Sequence, residues 1–360
     1  VLSGITIMNA NYTPFNSPGP QGAGARGIDG MDNIPYAYAS MSGDTYTGSG
    51  YVYSNAALTV IGNHIITNCN IRDCSVTGGL ASGGNDGGDD QRGGNGGNGG
   101  FAGAAGIYIG DIFDYYYDYY DVPIYHPNHP NDVNWIIDYD YYYEQVVFNW
   151  GGSPRFENCI IDNCVATAGN GANGANGGAR ARGGSGGSSG RALGAGIFCD
   201  IGTSPTFINC TVTNCRTIGG NGGNGGNGNE SVGGYGGLSY SDPCQPDPEI
   251  FSAYGAGVYC GVGTKPTFID CTIADNITDG SVSGVGGFSQ PGNIQQQPRR
   301  NYNIPSYGAG LYCDSGCTTT ITGCDFQNNA TTYYGDLYTG YGGGVCFDGG
   351  KDYDLSLIHI

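Results

Sequence analysis

Basic residues are scarce in this chain of 360 residues, which has 12 Lys and Arg against 31 Asp and Glu and a net charge of −19. Proteins that bind DNA or RNA neutralise phosphates with clustered Lys and Arg, so this balance argues against a nucleic-acid partner. The same charge disfavours an anionic membrane surface. No run of 18 apolar residues is present, so we expect no membrane-spanning segment.

Patterns typical of enzymes are also lacking. The sequence has no GxSxG motif, no convincing Cys–His pairing, and no CxxC followed by a second CxxC or HxxxH, which argues against a zinc site. A polysaccharide lyase needs acidic metal ligands and a basic residue, but Lys265 stands alone in a turn. A glycoside hydrolase needs paired acids, but Gly261 interrupts the column of Asp200 and Asp314. The sequence therefore predicts no catalytic residue and no cofactor.

Glycine is abundant, with 71 residues, and part of it follows a period of three. Gly93–Gly100 is GGNGGNGG, Asn170–Gly178 is NGANGANGG and Gly219–Gly228 is GGNGGNGGNG. A flexible linker is one interpretation, because Gly-rich chains behave as random coils. The alternative is an ordered bundle of left-handed helices with three residues per turn, in which glycine permits close sideways packing.

A unit of about 22 residues recurs in register and is typical of a solenoid. Gly194–Cys215, GAGIFCDIGTSPTFINCTVTNC, returns at Gly255–Asn276 and Gly308–Asn329, with weaker copies at 65–74 and at 106–109 joined to 154–164. Aligned copies give three apolar columns: Ile107, Ile197, Val258, Leu311 and Val345; Ile66, Phe156, Phe207, Phe268 and Ile321; and Ile71, Ile161, Val212, Ile273 and Phe326. Three columns predict three short strands per coil, with successive copies parallel.

A further column of Asn68, Asn158, Asn209 and Asp270 follows the second strand. Asn and Asp tolerate the left-handed backbone conformation, so we expect a tight bend there. The predicted fold is all-β: a right-handed, single-stranded parallel β-helix, with long Gly-rich and Tyr-rich insertions.

The GAGIFCD and SPTFINCTVTNC segments resemble the right-handed parallel β-helix repeat of bacterial secreted and cell-surface proteins. That group shares the pectate-lyase-like fold. The resemblance covers the coils but not the insertions, and it implies the fold far more than any activity, since such coils carry adhesins, lyases, hydrolases and spacers.

The whole of 1–354 is expected to be one β-helix fragment. We place insertions at about 12–55, 78–104, 111–150, 167–193, 218–253 and 278–306. The last six residues, LSLIHI at 355–360, match the translation of a transposon end used in preparing sequencing libraries. We expect this tail to be non-native, which long-read sequencing of the locus would check.

Cysteines also form columns, in which two interpretations stay open. The columns hold Cys69, Cys159, Cys210, Cys271 and Cys324; Cys74, Cys164 and Cys215, continued by Asn276 and Asn329; and Cys199, Cys260 and Cys313. Because Ile and Phe also occupy the third column, we favour reduced thiols that pack as small apolar groups. Disulfides between neighbouring coils are the alternative. Cys244, Cys317 and Cys346 lie outside the columns and are the better disulfide candidates.

Aromatic residues supply the candidate ligand-binding positions. The segment 111–150 contains two Tyr- and Asp-rich limbs around a Pro/Asn/His turn, which predicts a projecting hairpin. Its candidates are Tyr115, Tyr116, Tyr117, Tyr119, Tyr120, Tyr141, Tyr142 and Tyr143. A second set, Tyr108, Phe198, Tyr259 and Tyr312, occupies an outward position on the coils. This ladder either docks a polymer or is covered by neighbouring insertions.

Two functions from different classes are consistent with these residues. The first is a secreted or surface-displayed scaffold or adhesin, located outside the cell or on its surface, that binds polysaccharide or cell-surface glycan through its insertions. The second is a polysaccharide lyase or glycoside hydrolase. Incidental Ca²⁺ at Asp86, Asp89 and Asp90 is the one metal interaction that the sequence suggests, since hard cations accept clustered carboxylates.

Overall fold

The computed structural model describes residues 1–12, 56–88, 91–110, 113–125, 136–149, 152–228, 253–287, 303–304, 306–332 and 342–347. Of these, Tyr12, 113–125, 136–149 and 303–304 are described through their backbone alone. The expectations for Cys244, Asp89, Asp90 and the 355–360 tail, and for nearly all of the 12–55 insertion, therefore lie outside the described residues.

Short parallel strands stack into four six-stranded sheets. Sheet A contains Leu2–Ser3, Ile65–Thr67, Arg155–Glu157, Thr206–Ile208, Thr267–Ile269 and Thr320–Thr322. Sheet B contains Thr6–Met8, Asn70–Arg72, Ile160–Asp162, Thr211–Thr213, Thr272–Ala274 and Asp325–Gln327. Sheet C contains Asn11–Tyr12, Ser75–Thr77, Val165–Thr167, Arg216–Ile218, Ile277–Asp279 and Ala330–Thr332. Sheet D contains Leu58–Ile61, Ile107–Gly110, Ile197–Cys199, Val258–Cys260, Leu311–Cys313 and Val345–Phe347.

Three smaller sheets complete the described strands. Sheet E is four-stranded and parallel, with Ala102–Gly103, Ala192–Leu193, Ala253–Tyr254 and Ser306–Tyr307. Two antiparallel pairs join Phe113–Tyr125 to Ile136–Asn149 and Ser281–Val282 to Asn303–Ile304. The described residues form no helix, so none of them provides a helix that could cross a membrane. The described chain is thus an all-β stack of parallel strands, as a parallel solenoid requires.

Equivalent residues of successive coils pair directly, so each column of the sequence becomes a column in space. Phe156 pairs with Phe207, and Phe207 pairs with Phe268. Their rings stack with centroids 4.9 and 5.0 Å apart, and all three side chains are buried. The three predicted apolar columns lie in sheets D, A and B and form the interior of the stack.

Sheet C corrects the expectation of three strands per coil. Its inward residues are Val76, Ala166, Thr217 and Thr278, all fully buried. The four residues at this position are two threonines, one valine and one alanine. An alignment of the copies therefore shows no column of large apolar residues here. The coil therefore has four strands, in sheets A to D, where the sequence predicted three.

Left-handed residues make the bends on both sides of sheet B. The predicted column has φ of 54° at Asn68, 52° at Asn158, 49° at Asn209 and 51° at Asp270, which confirms the first bend. A second column, between sheets B and C, has φ between 50° and 57° at Asp73, Asn163, Asn214, Asp275 and Asn328. The sequence signal for the second bend is the same, since only Asn and Asp among side-chain residues adopt this conformation readily.

Gly-rich segments form four arms that stack in the order of the coils. The arms are residues 78–88 with 91–100, 168–190, 219–228 and 280–287. Outgoing limbs bond to outgoing limbs of the next arm: Gly174 N–H donates to Asn224 O at 2.8 Å, and Gly225 N–H donates to Val285 O at 2.8 Å. Within one arm, Gly184 N–H of the returning limb donates to Ala175 O of the outgoing limb at 2.8 Å.

The period of three follows from three different neighbours. Asn221 N–H donates to the Asn170 side chain at 2.8 Å, on the outgoing limb of the second arm. The next donor, Gly222 N–H, bonds to Val282 O of the fourth arm at 2.9 Å. The third, Gly223 N–H, bonds to Gly187 O on the returning limb of the second arm at 2.9 Å. Each triplet thus satisfies one donor in each direction, which an independent flexible linker does not do.

Close packing explains why the triplets contain glycine. A Cβ atom added to Gly223 would lie 1.9 Å from Ala172 O, and one added to Gly184 would lie 1.9 Å from Gly94 O. Both neighbours are backbone atoms that cannot rotate away. In the described residues the Gly-rich segments are therefore bonded sideways to one another, while their left-handed helical form stays a prediction.

Two adjacent glycines in the first arm test this packing. A Cβ at Gly84 would lie 2.1 Å from Gly94 O, whereas one at Gly83 would lie 3.4 Å from Asn173 O, an ordinary contact. We expect Gly84→Ala to destabilise the arm by about 1–3 kcal/mol, the usual cost of overpacking. Gly83→Ala is the matched control and should be neutral.

Amide hydrogen exchange at Gly94 and Gly97 measures the effect, because both amides bond to the outgoing limb. Exchange in Gly84→Ala should accelerate roughly tenfold or more, since 1.4 kcal/mol corresponds to a factor of ten. Equal exchange in the two variants, or exchange at free-peptide rates in the unmodified chain, would contradict the ordered arms.

Candidate functional site

The coil ladder of Tyr108, Phe198, Tyr259 and Tyr312 does not form an exposed docking face. These side chains are only 0%, 7%, 9% and 5% exposed, respectively. They point away from the main core but pack in a second apolar cluster with Leu193 and Tyr254 of sheet E. The covered alternative is therefore the one that the structure contains, because sheet E brings the chain back over the outer side of sheet D.

Tyrosine hydroxyls in this second cluster bond to the next coil. Tyr108 Oη donates to Asp200 Oδ2 at 2.5 Å, and Tyr259 Oη donates to Asp314 Oδ2 at 2.7 Å. Phe198 occupies the rung between them, and its equivalent partner in the next coil is Gly261. A hydroxyl is thus present where the next coil supplies a carboxylate and absent where it supplies glycine. In the described residues, the interrupted Asp column therefore matches the tyrosines of the preceding coil.

Two arginines of the coils form ion pairs with nearby acidic residues. Arg155 Nε donates to Glu157 on the same strand of sheet A. Arg216 Nε bonds to Asp279 of the next coil in sheet C. These two pairs lie on different sheets of the described stack.

The Tyr-rich hairpin is a long two-stranded ribbon. Phe113–Tyr125 has 13 residues and Ile136–Asn149 has 14, against two to four residues in every coil strand. Their antiparallel pairing runs from Phe113 opposite Asn149 to Tyr125 opposite Ile136, with one irregularity beside Tyr125. At 3.3–3.4 Å per residue the ribbon is about 40 Å long. This pairing confirms the hairpin that the sequence predicts.

Strand register divides the ribbon residues between two faces, because directly paired residues share a face and neighbours along a strand alternate. One face carries Tyr115, Tyr117, Tyr119, Tyr139, Tyr141 and Tyr143, with Asp121 as its acidic residue. The opposite face carries Tyr116, Tyr120 and Tyr142 among Asp114, Asp118, Asp138, Asp140 and Glu144. The ribbon therefore has a tyrosine-rich face and an acidic face, which sequence reasoning did not separate.

Cysteine columns lie inside the stack as predicted from their substitution by apolar residues. The thirteen described cysteines form no disulfide, and eleven of them are buried. Their thiols donate to backbone oxygens nearby: Cys159 Sγ bonds to Glu157 O at 3.4 Å, and Cys210 Sγ bonds to Ile208 O at 3.3 Å.

Cys317 lies close to two cysteines of the column in sheet D. Cys260, Cys313 and Cys317 place their Sγ atoms within 4.8 Å of one another. Hydrogen bonds from Cys260 and Cys313 lower the pKa of Cys317 to about 3. Burial raises the pKa of Cys260. Sequence reasoning placed Cys317 outside the columns; the available signal was CxxxC in a copy where the other two have CxxxT.

The suggested calcium ligands remain a prediction. Asp86 lies in the outgoing limb of the first arm, where its Oδ1 accepts the Asn176 N–H at 2.8 Å. Asp86 thus has the same role as the Asn side chains that link later arms. Asp89 and Asp90 lie outside the described residues.

A double-mutant cycle tests the Tyr–Asp pairing. Phe198→Tyr should place a buried hydroxyl opposite Gly261 without an acceptor and destabilise the protein by about 1–3 kcal/mol. Adding Gly261→Asp should recover stability, with a coupling energy of about 0.5–3 kcal/mol. Urea unfolding of the wild type, both single variants and the double variant measures this coupling. Strictly additive effects would contradict the pairing.

Alkaline titration tests the Tyr259 contact independently. Burial and the nearby Asp314 carboxylate raise the pKa of Tyr259 well above its ordinary value of 10.0. Above pH 10 the unfolded chain loses this proton while the folded chain retains it, so stability falls as pH rises. The slope in Tyr259→Phe should be shallower than in the wild type by up to about 1.4 kcal/mol per pH unit. Parallel slopes would show that Tyr259 ionises normally in the folded chain.

Comparisons with known proteins give no relative from which a function could be inferred. No protein-family model, no curated protein and no solved structure matches the chain.

Proposed function

We propose that this chain is a secreted or surface-displayed scaffold and adhesin, in which the coil stack carries a glycan-binding ribbon. The supporting observation is the ribbon register, which collects six tyrosines on one face of a structure about 40 Å long. Tyrosine offers an apolar ring and a polar tip, a combination suited to stacking on sugar rings at a wet interface. A ligand with several sugar units matches the length of such a face.

The coil stack supports this role because its own candidate groups are already engaged in contacts between coils. In the described residues, the carboxylates of Asp200 and Asp314 are used in tyrosine contacts between coils. The coil aromatics Tyr108, Phe198, Tyr259 and Tyr312 are buried, so we transfer the proposed ligand role to the ribbon. With the net charge of −19, we expect neutral glycans to bind better than acidic ones.

The finer description of the fold belongs to the same proposal. We infer a right-handed stack of the pectate-lyase-like type, because parallel strands joined by crossovers are right-handed in nearly all proteins. An extracellular or cell-surface location follows from the proposed ligand, which is found there.

Two triple variants of the ribbon test the proposal. Replacing Tyr117, Tyr119 and Tyr143 by Ser removes three rings from the tyrosine-rich face. Replacing Tyr116, Tyr120 and Tyr142 by Ser removes the same number from the acidic face and is the matched control. We expect the first variant to lose glycan-array binding by tenfold or more, since aromatic contacts contribute about 0.5–1.5 kcal/mol each. The control should keep most of its binding.

The same incubations distinguish a binder from an enzyme. Reducing ends or unsaturated products released from the bound glycan would favour the lyase or hydrolase alternative. Equal loss of binding in both variants, or binding unaffected by either, would exclude the tyrosine-rich face as the ligand site.

A further inference from the structure

One position in the turn after sheet D changes from threonine to cysteine between copies. Thr203 and Thr264 occupy it in two successive coils, and Cys317 occupies it in the third. The turn itself is the same: Thr264 N–H donates to Gly261 O at 3.2 Å, and Cys317 N–H donates to Asp314 O at 3.1 Å. The third copy therefore substitutes a thiol for a hydroxyl in an unchanged backbone.

This substitution brings three sulfur atoms together. Cys260 and Cys313 are paired rungs of sheet D, and Cys317 approaches both from the turn. The three Sγ atoms already lie within 4.8 Å of one another. An ion with metal–sulfur bonds of about 2.3 Å needs sulfurs about 3.8–4.0 Å apart, so closure requires movements well below 1 Å at each side chain.

Hydroxyl groups surround the sulfur cluster. Thr264 Oγ1 lies 3.1 Å from Cys317 Sγ. Thr319 Oγ1 lies 3.1 Å from Cys313 Sγ and 3.2 Å from Cys317 Sγ. Each hydroxyl has one proton: Thr264 Oγ1 also bonds to Gly261 O at 2.8 Å, and Thr319 Oγ1 can donate to one of its two sulfurs at a time. A hydroxyl that donates to sulfur stabilises negative charge there and orients the sulfur as a metal ligand. Cys260 and Cys313 are fully buried whereas Cys317 is half-buried, which gives an ion a route from solvent.

We propose that Cys260, Cys313 and Cys317 bind one thiophilic d¹⁰ metal ion, Zn(II) or Cu(I). Three converging thiolates and no carboxylate or imidazole in the described cluster select soft ions over Ca²⁺ or Mg²⁺. Zn(II) takes a water molecule as its fourth ligand beside Cys317, whereas Cu(I) is satisfied by three sulfurs. Binding displaces the thiol protons to solvent and ties the coil of Cys260 to the coil of Cys313.

The test uses the full chain, reduced and freed of metal, and titrates it separately with Zn(II) and Cu(I) against chromophoric chelators. We expect one equivalent of ion to bind. X-ray absorption of the loaded protein should give three sulfur neighbours at about 2.3 Å, with one added oxygen for Zn(II) alone. This last difference distinguishes the two ions at the same site.

Cys317→Thr is the informative variant, because it restores the residue of the two preceding copies and should fold normally. Its affinity for both ions should fall more than about 100-fold, since loss of even an outer partner costs about 10–100-fold. Cys324→Ser removes a thiol of similar exposure outside the cluster and should leave affinity unchanged.

Three results would overturn the proposal: no stoichiometric binding by the reduced chain, equal affinity in Cys317→Thr, or a disulfide at Cys317 in protein isolated without reductant. Unchanged circular dichroism of Cys317→Thr would show that any loss of affinity is not loss of folding.

Discussion

Direct register between successive coils is the constraint on which the rest of this structure depends. Each residue in sheets A to D pairs with its equivalent in the neighbouring coils, so side chains of the same position contact one another along the stack. Ring stacks, amide ladders and thiol columns all follow from that pairing. Asn209 Nδ2, for example, donates to Asn158 Oδ1 at 2.8 Å, one rung along the same bend. A repeated residue is therefore stabilised by its own copies, as solenoid energetics require.

The Gly-rich arms extend the same register beyond the coils. An isolated Gly-rich segment is expected to be disordered, because it buries little apolar surface. Coil stacking holds successive arms at a fixed spacing, which lowers the entropy lost when they bond sideways. Backbone donors are then satisfied in three directions, and the residue at each clashing position must be glycine.

Positions where one copy departs from the repeat are the most informative. Because equivalent residues lie next to each other, a substitution in one copy changes the side chains that meet at that place. Phe198 loses a hydroxyl where Gly261 offers no acceptor, and Cys317 adds a sulfur where Thr203 and Thr264 precede it. The ribbon is the largest departure, since it inserts two long antiparallel strands between the Ile107–Gly110 strand of sheet D and the Arg155–Glu157 strand of sheet A. The proposed glycan face and the proposed metal site are both located at such departures.

Sequence patterns alone predict the parallel all-β coils, three of the four strand positions, one of the bends and the hairpin. These features follow from the long repeat, from alternation along the strands or from local pairing, so periodicity reveals them. Tertiary structure decided the rest. Sheet C has no apolar column, because Thr217 and Thr278 share its interior with Val76 and Ala166. Burial of the Tyr108 ladder depends on sheet E returning over it, and the thiol cluster depends on a turn meeting the adjacent coil. Several of these contacts join distant positions, such as Tyr254 with Tyr312 and Cys260 with Cys317, and spacing along the chain does not encode them.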